Sequence, residues 1–200
     1  MKKTMLAALA AATLLASGGL QPAQAQKEPP YTEPKDDRWL AALAKREKSV
    51  ILFTLVLANP NGKTSCAGAK MHIRPVGEKG KPMAVHSSGI LIKPGRYDIV
   101  AVTCSSGNNR GVYNGPHARI DAPPGQVVDA GALRLEYDVK SDGLFTGTGT
   151  GTLKKSVVDF PADKRGRIKE ELPKVMARAV TRHMTLIGPA TINVKQRTRF

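Results

Sequence analysis

The sequence contains few cysteines, few aromatic residues and few acidic ones. Only two of its 200 residues are cysteines, and aromatic side chains make up 4%. The two cysteines lack the C-x-x-C spacing of a thioredoxin-like redox motif. The scarcity of aromatics leaves few rings on which nucleic-acid bases could stack, so no nucleic-acid partner is expected. The acidic residues number 16 against 31 lysines and arginines, a formal net charge of +15. A surface with this surplus attracts anions.

The N-terminus has the pattern of a cleaved secretory signal. Lys2 and Lys3 precede an apolar run over residues 5–16, and Ala23-Gln24-Ala25 has the A-x-A form of a cleavage site. The run is too short to span a membrane, and no later apolar run reaches that length. We therefore expect residues 1–25 to be a signal peptide, the mature chain to lack a transmembrane segment, and the protein to be periplasmic.

Export bears on the cysteines, Cys66 and Cys104, which both lie in the mature chain. In an oxidising compartment an even pair is most simply a disulfide, with two buried thiols as the alternative. The bond would close a loop of roughly forty residues and contribute about 4 kcal/mol on the loop-entropy model.

The rest of the chain is organised around residues 89–104. Lys93-Pro94-Gly95-Arg96 carries proline and glycine at the two central positions of a type II turn, so the segment predicts strand, tight turn, strand. The second strand, residues 97–104, is apolar in both alternating sets of side chains. That pattern predicts a central strand buried on both faces, including Val100 and Ala101.

The same segment carries a resemblance to a known family. Residues 92–97, Ile-Lys-Pro-Gly-Arg-Tyr, resemble the L-x-P-G-x-Y signature of transthyretin-like (carboxypeptidase-regulatory-like) β-sandwich domains. Residues 124–135 look like the next strand pair of such domains, so the resemblance covers about residues 50–138. The chain is also similar to uncharacterised bacterial periplasmic proteins of this build. The resemblance implies a β-sandwich and a non-catalytic module of a secreted or envelope protein, with no catalytic or metal residue to carry over.

Together these patterns predict a mainly β protein, an antiparallel β-sandwich with a short N-terminal helix and a C-terminal helical extension. Residues 26–49 are expected to form a flexible lead-in and the short helix, and residues 50–152 the sandwich. Residues 153–200, predicted to be a basic helical extension and tail, carry twelve lysines and arginines against four acidic residues. Lys174, Arg178 and Arg182 recur every four residues there, which predicts one basic row along a helix. We interpret this row as the contact with an anion.

Enzymatic and metal-binding alternatives rest on scattered residues. His86 precedes Ser87-Ser88, but no G-x-S-x-G elbow is present, so a periplasmic hydrolase would need a site assembled from several loops. Either His86 or His117 would then lie beside a serine and a carboxylate. The pairs Met71-His72 and His183-Met184, with Met83 near His86, contain ligands suited to copper. Strand alternation would send Met71 and His72 to opposite faces, so we expect neither a metal nor a cofactor.

A small outer-membrane barrel is a further alternative, because the chain ends in Phe200. The alternate residues before it, Thr198 and Gln196, are too polar for a strand that faces lipid. The sequence therefore favours a non-catalytic binding or structural module of the periplasm or envelope. Its expected partner is an anionic envelope component: lipopolysaccharide, anionic lipid or a cell-wall polymer.

Overall fold

The computed structural model describes residues 35–58, 68–86, 88–106, 109–141 and 148–197. The expected signal peptide, most of the lead-in, Cys66 and Phe200 lie outside these ranges. The elements in chain order are α1 (Lys35–Ala44), β1 (Ser49–Ala58), β2 (Gly68–Pro75), β3 (Met83–Val85), β4 (Gly89–Ile92), β5 (Gly95–Ser106), β6 (Asn109–Ala122), β7 (Val127–Ser141), β8 (Thr148–Val158), α2 (Ala162–Glu171), α3 (Pro173–Met176), β9 (Ala179–Thr181), β10 (Thr185–Leu186) and β11 (Thr191–Arg197).

The strands form two sheets packed as a sandwich, which confirms the predicted fold class. The first sheet has the order β11-β8-β7-β1-β4, with β9 also paired to β7, and the second has the order β10-β6-β5-β2-β3. Most pairings are antiparallel, but β1 and β9 both run parallel to β7. The main core lies between the sheets and is filled by inward side chains of both, such as Phe53, Ile99 and Leu133.

A second apolar core covers the outer face of the first sheet. Val50 and Leu52 point outward from β1 and are buried against helical residues, among them Trp39 of α1 and Ile168 of α2. Their neighbours Ile51 and Phe53 point into the main core. The strand that is buried on both faces is therefore β1, which explains its unbroken apolar sequence.

The predicted hairpin at Pro94-Gly95 is instead a crossing between the two sheets. β4 pairs with β1 in the first sheet, whereas β5 belongs to the second. The Tyr97 hydroxyl donates a hydrogen bond of 2.8 Å to the Lys93 carbonyl oxygen across the turn. A tyrosine hydroxyl that binds the backbone just upstream in this way is the tyrosine corner found in β-sandwiches. Proline and glycine shape the turn as expected, but they redirect the chain rather than return it along the same sheet.

β5 does occupy the middle of its sheet, but it is not buried on both faces as predicted. Ile99 and Val102 are 0% exposed, whereas Val100 and Ala101 are only half-buried. In the pairing of β5 with β2, Ile99 and Ala101 lie opposite the adjacent residues Ile73 and His72, so Val100 is an extra residue and marks a β-bulge. The extra residue reverses the alternation, so Val102 takes the core-facing position that strict alternation assigned to Ala101.

The helix predicted to carry the basic row ends after one turn. α3 stops at Met176, and residues 179–181 form β9, which pairs with the start of β7. The β-branched Val180 and Thr181 suit a strand, and an available sheet edge outweighs their helical spacing. Arg178 and Arg182 therefore flank a strand, and the predicted row does not exist.

The predicted boundary after residue 152 falls inside β8. Residues 153–200 contribute the rest of β8, α2 and α3, and also β9, β10 and β11, which pair with strands of both sheets. The C-terminal part is therefore an integral part of the sandwich and its helical layer rather than an appendage.

Two basic side chains are buried near one end of the main core. Lys155 is 4% exposed and its Nζ donates to the carbonyl oxygens of Pro116 and Ile187, at 3.3 and 2.7 Å. His117 is 0% exposed and its Nε2 lies 3.0 Å from the Tyr113 carbonyl oxygen, to which it donates. Burial lowers the pKa of both groups, and the Lys155 charge lowers the pKa of His117 further, against the raising effect of the hydrogen bond to Tyr113.

We therefore expect stability to fall with acid below pH 6.5. In that range His117 of the unfolded chain takes up a proton while the folded protein resists it, so the free energy of unfolding decreases by up to about 1.4 kcal/mol per pH unit. Above the unfolded pKa this contribution is fully present. Urea unfolding between pH 5 and 7.5 measures the slope. His117→Gln, whose amide retains a donor, should flatten it, and an unchanged slope would contradict the assignment.

Candidate functional site

A cavity of about 280 Å³ lies between the start of α1, the segment that leads into β4, and α2. Four basic side chains line it: Lys35, His86, Lys164 and Arg167. The remaining lining residues are Ser88, Gly89, Ile168, Glu171 and Leu172. We call this cavity the basic groove.

The two lysines of the basic groove are held by neighbours that carry no negative charge. Lys164 Nζ donates to Thr54 Oγ1 at 2.9 Å and to the Leu55 carbonyl oxygen at 3.2 Å, which ties α2 to β1. Lys35 Nζ lies 4.9 Å from the centre of the Trp39 ring, a cation–π contact. These contacts orient both ammonium groups without neutralising them.

Arg167 and Glu171 lie one turn apart on α2 and both line the basic groove. In the part of the chain that the structure describes, neither side chain forms an ion pair. The groove is lined by three cations, Lys35, Lys164 and Arg167, and by one carboxylate, Glu171, so it has a surplus of two positive charges. The groove is therefore a concave cationic surface.

The floor of the groove is apolar and belongs to the second core. Ile168 and Leu172 are buried there. A Cβ on Gly89 would lie 3.2 Å from Leu52 Cδ2 and 3.7 Å from the Trp39 ring, so glycine lets this backbone pack close to the core. An ion pair between Arg165 and the buried Asp129 fixes α2 over the first sheet. This ion pair joins α2, the helix that carries Lys164 and Arg167, to the first sheet.

The structure does not bring the three predicted anion contacts together. Lys174 Nζ forms an ion pair of 2.5 Å with Asp37 Oδ1, and the hydrogen bond to that carboxylate raises the pKa of Lys174. Arg178 is exposed just before β9. Arg182 lines a separate, shallow depression of about 430 Å³ that also contains Arg96.

Sequence reasoning missed the basic groove because its residues come from distant segments. Lys164 and Arg167 are three apart on a predicted helix, a spacing that places them on one face. The sequence spacing therefore predicts that these two cations share one face of the helix. Nothing in the sequence pattern links them to Lys35 or His86, which reach the groove only through the packing of α1 and β4 beside α2.

The residues of the hydrolase alternative are partly brought together. His86, Ser88 and Glu171 line the basic groove, but no hydrogen bond joins any two of these side chains; Ser87 lies outside the described residues. His117 is enclosed in the main core beside Lys155. Ser88 therefore has no hydrogen-bonded base among these groove residues.

The copper alternative has no cluster to support it. Met71 and Met184 are in the main core, and His72 Nε2 makes a hydrogen bond of 3.2 Å with Thr103 Oγ1. His183 lies 3.3 Å from Asp159. No group of three or more histidine, cysteine or acidic residues could hold a metal ion within the described ranges.

Two further expectations concern the cysteines and the membrane. The described residues include no free cysteine, but Cys66 lies outside them, so its bond to Cys104 stays a prediction. Across those same residues, every helix is too short or too polar to pass through a bilayer.

Compared with known proteins, the chain matches no family model, no curated protein and no solved structure, and the transthyretin-like resemblance also stays a prediction.

Proposed function

We propose that this protein is a secreted, non-catalytic module of the bacterial envelope that binds an anionic component through the basic groove. The observation that carries the proposal is the set of three cations, Lys35, Lys164 and Arg167, around one cavity with a single carboxylate. Lipopolysaccharide, anionic lipid and acidic cell-wall polymers all have the required charge. The sandwich then serves as a rigid support for this surface.

The net charge of the whole molecule supports an anionic partner, and the basic groove supports a particular binding site for that partner. The surplus of positive charge, of which the expected signal peptide carries only Lys2 and Lys3, concentrates anions near any part of the surface. Most exposed cations, however, point into open solvent, where salt screens them. Cations that surround a cavity act together on one group, and an apolar floor lowers the dielectric beneath them.

The export signal and the expected disulfide belong to the same proposal. The basic n-region, the short apolar run and the A-x-A site support secretion. In an oxidising compartment a Cys66–Cys104 bond would join β5 to the segment between β1 and β2. It would stabilise the sandwich at β5, an interior strand of the second sheet, without contributing to the groove.

Removal of two groove charges tests the function. We expect Lys35→Gln with Arg167→Gln to weaken binding to vesicles of phosphatidylglycerol, and to purified lipopolysaccharide, by about 30-fold at low salt, since each basic residue near an anionic surface contributes about 1 kcal/mol. Lys164 is left intact because its hydrogen bonds hold α2 to β1. Binding of the parent protein should weaken steeply with added salt.

The matched control is Lys169→Gln with Arg178→Gln, which removes the same charge from exposed positions outside the groove. Only a small loss of affinity is expected. If the control pair loses as much as the groove pair, net charge alone explains binding and the groove is not the contact site. If the parent protein binds neither surface, the proposal is wrong.

The second candidate is a hydrolase, favoured by the shared position of His86, Ser88 and Glu171 in the groove. A fluorophosphonate probe, which reacts with activated serines, decides between them. Labelling of Ser88 that is lost in His86→Gln would establish a hydrolase. The binding module predicts no labelling, because no hydrogen bond links Ser88 to His86.

A further inference from the structure

We infer that the basic groove recognises a phosphate monoester, a terminal phosphate joined through one oxygen to a lipid or sugar headgroup. The inference rests on the proposed function, because it names the ligand of the same groove. The observations that carry it are the charge balance of the groove, the kinds of donor around it, and its size.

The charge balance favours a dianion. The groove is lined by three cations and one carboxylate, so its net charge is two positive charges: Lys35, Lys164 and Arg167, with Glu171. A phosphate monoester carries −1.5 to −2 at neutral pH. A carboxylate or a phosphodiester carries only one negative charge and would leave a cation of the groove unpaired.

The donors outnumber what a carboxylate can accept. The Arg167 guanidinium offers two parallel N–H groups, the geometry that fits a phosphate edge. Lys164 has one N–H left after its bonds to Thr54 and Leu55, and Lys35 offers the three of its ammonium group. The Ser88 hydroxyl is a further donor on the groove wall. The three terminal oxygens of a monoester provide acceptors for donors from several directions, whereas a carboxylate has two oxygens in one plane.

The size of the groove limits the ligand to a headgroup. Its volume of about 280 Å³ lies just below the range of pockets that hold drug-sized molecules, about 300–1,000 Å³. A phosphate with a few carbons attached fits, but acyl chains do not. Ile168 and Leu172 provide apolar contact for the carbon atoms next to the phosphate. Any lipid chains would then remain in the membrane while the phosphate enters the groove.

Vesicles that differ only in the phosphate test the inference. We compare phosphatidic acid, a monoester, with phosphatidylglycerol, a diester, at pH 7.4 and with lipid fractions adjusted to equal surface potential. The parent protein should bind phosphatidic acid about tenfold more tightly, the effect of one additional charge-assisted interaction. Equal binding to both would overturn the inference and leave the proposed function standing, whereas binding to neither would overturn both.

Arg167→Lys isolates the recognition of the phosphate from attraction by charge. Lysine keeps the positive charge and removes the planar fork, so the preference should fall well below tenfold while binding to phosphatidylglycerol remains. Arg178→Lys is the matched control outside the groove and should keep the preference. An undiminished tenfold preference in Arg167→Lys would contradict the assignment.

Soluble competitors distinguish the sources of the phosphate. If glycerol 3-phosphate displaces the protein from phosphatidic acid and sulfate does not, the groove also accepts a free phosphate monoester. If glycerol 3-phosphate fails while the preference for phosphatidic acid holds, the ligand is the membrane-borne headgroup. Displacement by sulfate as effective as by glycerol 3-phosphate would overturn the inference, since it would show a site for any small anion.

Discussion

Val102→Asp should prevent folding, whereas Val100→Asp, two residues away on the same strand, should leave the protein folded. Val102 is 0% exposed and lies in the main core, where the new carboxylate would be removed from water. An unpaired buried charge costs more than about 5 kcal/mol, comparable with the whole stability of a typical domain. Val100 lies at the bulge and is half-buried, so an aspartate carboxylate at this position can reach solvent.

Near-ultraviolet circular dichroism and thermal melting of the two variants measure the difference. A cooperative melt of Val102→Asp near the parental temperature would contradict the placement of this residue in the core. Equal loss of structure in Val100→Asp would contradict the bulge. The pair is informative because both substitutions introduce the same charge into the same strand.

Asp36→Ala should destabilise the protein by about 3–5 kcal/mol, because the carboxylate caps a helix from the other end of the chain. Asp36 Oδ2 accepts the backbone N–H of Lys174 at 2.8 Å, and Oδ1 accepts that of Val175 at 2.9 Å. Asp36 is itself buried. Alanine would leave both N–H groups without a partner at the junction of α1 and α3.

Urea and thermal unfolding measure this loss, and a melting temperature lower by at least about 6 °C is expected. Asp37→Ala is the control. It removes only the exposed ion pair with Lys174 and should have little effect, since such pairs contribute little. If both variants melt alike, the cap does not hold the helical layer in place.

The period-2 patterns of the sequence predict the sandwich, since the side-chain alternation that they require is present in the folded strands. Where they fail, a physical cause is visible. A single extra residue at Val100 reverses the alternation of β5, and no local preference of valine marks a bulge. The turn at Pro94-Gly95 has the predicted chemistry, but the tyrosine corner of Tyr97 uses it to cross between sheets. Turn residues determine how tightly the chain bends and do not select the strand beside which it continues.

The helical layer and the site are less predictable because both depend on contacts between distant segments. The spacing of Val175, Met176, Ala179 and Val180 fits a helix, but Ala179 and Val180 pair with β7 instead. The basic groove needs α1 and α2 to lie side by side. Asp36 binds α1 to α3, and Arg165 binds α2 to β7, but no sequence motif reveals either role. Composition indicates a cationic protein, whereas the place at which its cations converge follows from tertiary packing.

The parallel pairing of β1 with β7 also determines how long the new chain must remain unprotected during synthesis. In the folded protein β7 pairs along most of β1, β4 pairs with its first four residues, and side chains of β1 pack into a core on each face. None of these neighbours directly follows it in the chain, and the α1–α3 contact joins residues 138 apart. Until they emerge, residues 50–58 expose an uncharged, β-prone segment without proline, the kind of sequence most prone to aggregate. The risk of aggregation is therefore greatest during synthesis, and it is carried by a segment that is buried in the folded protein.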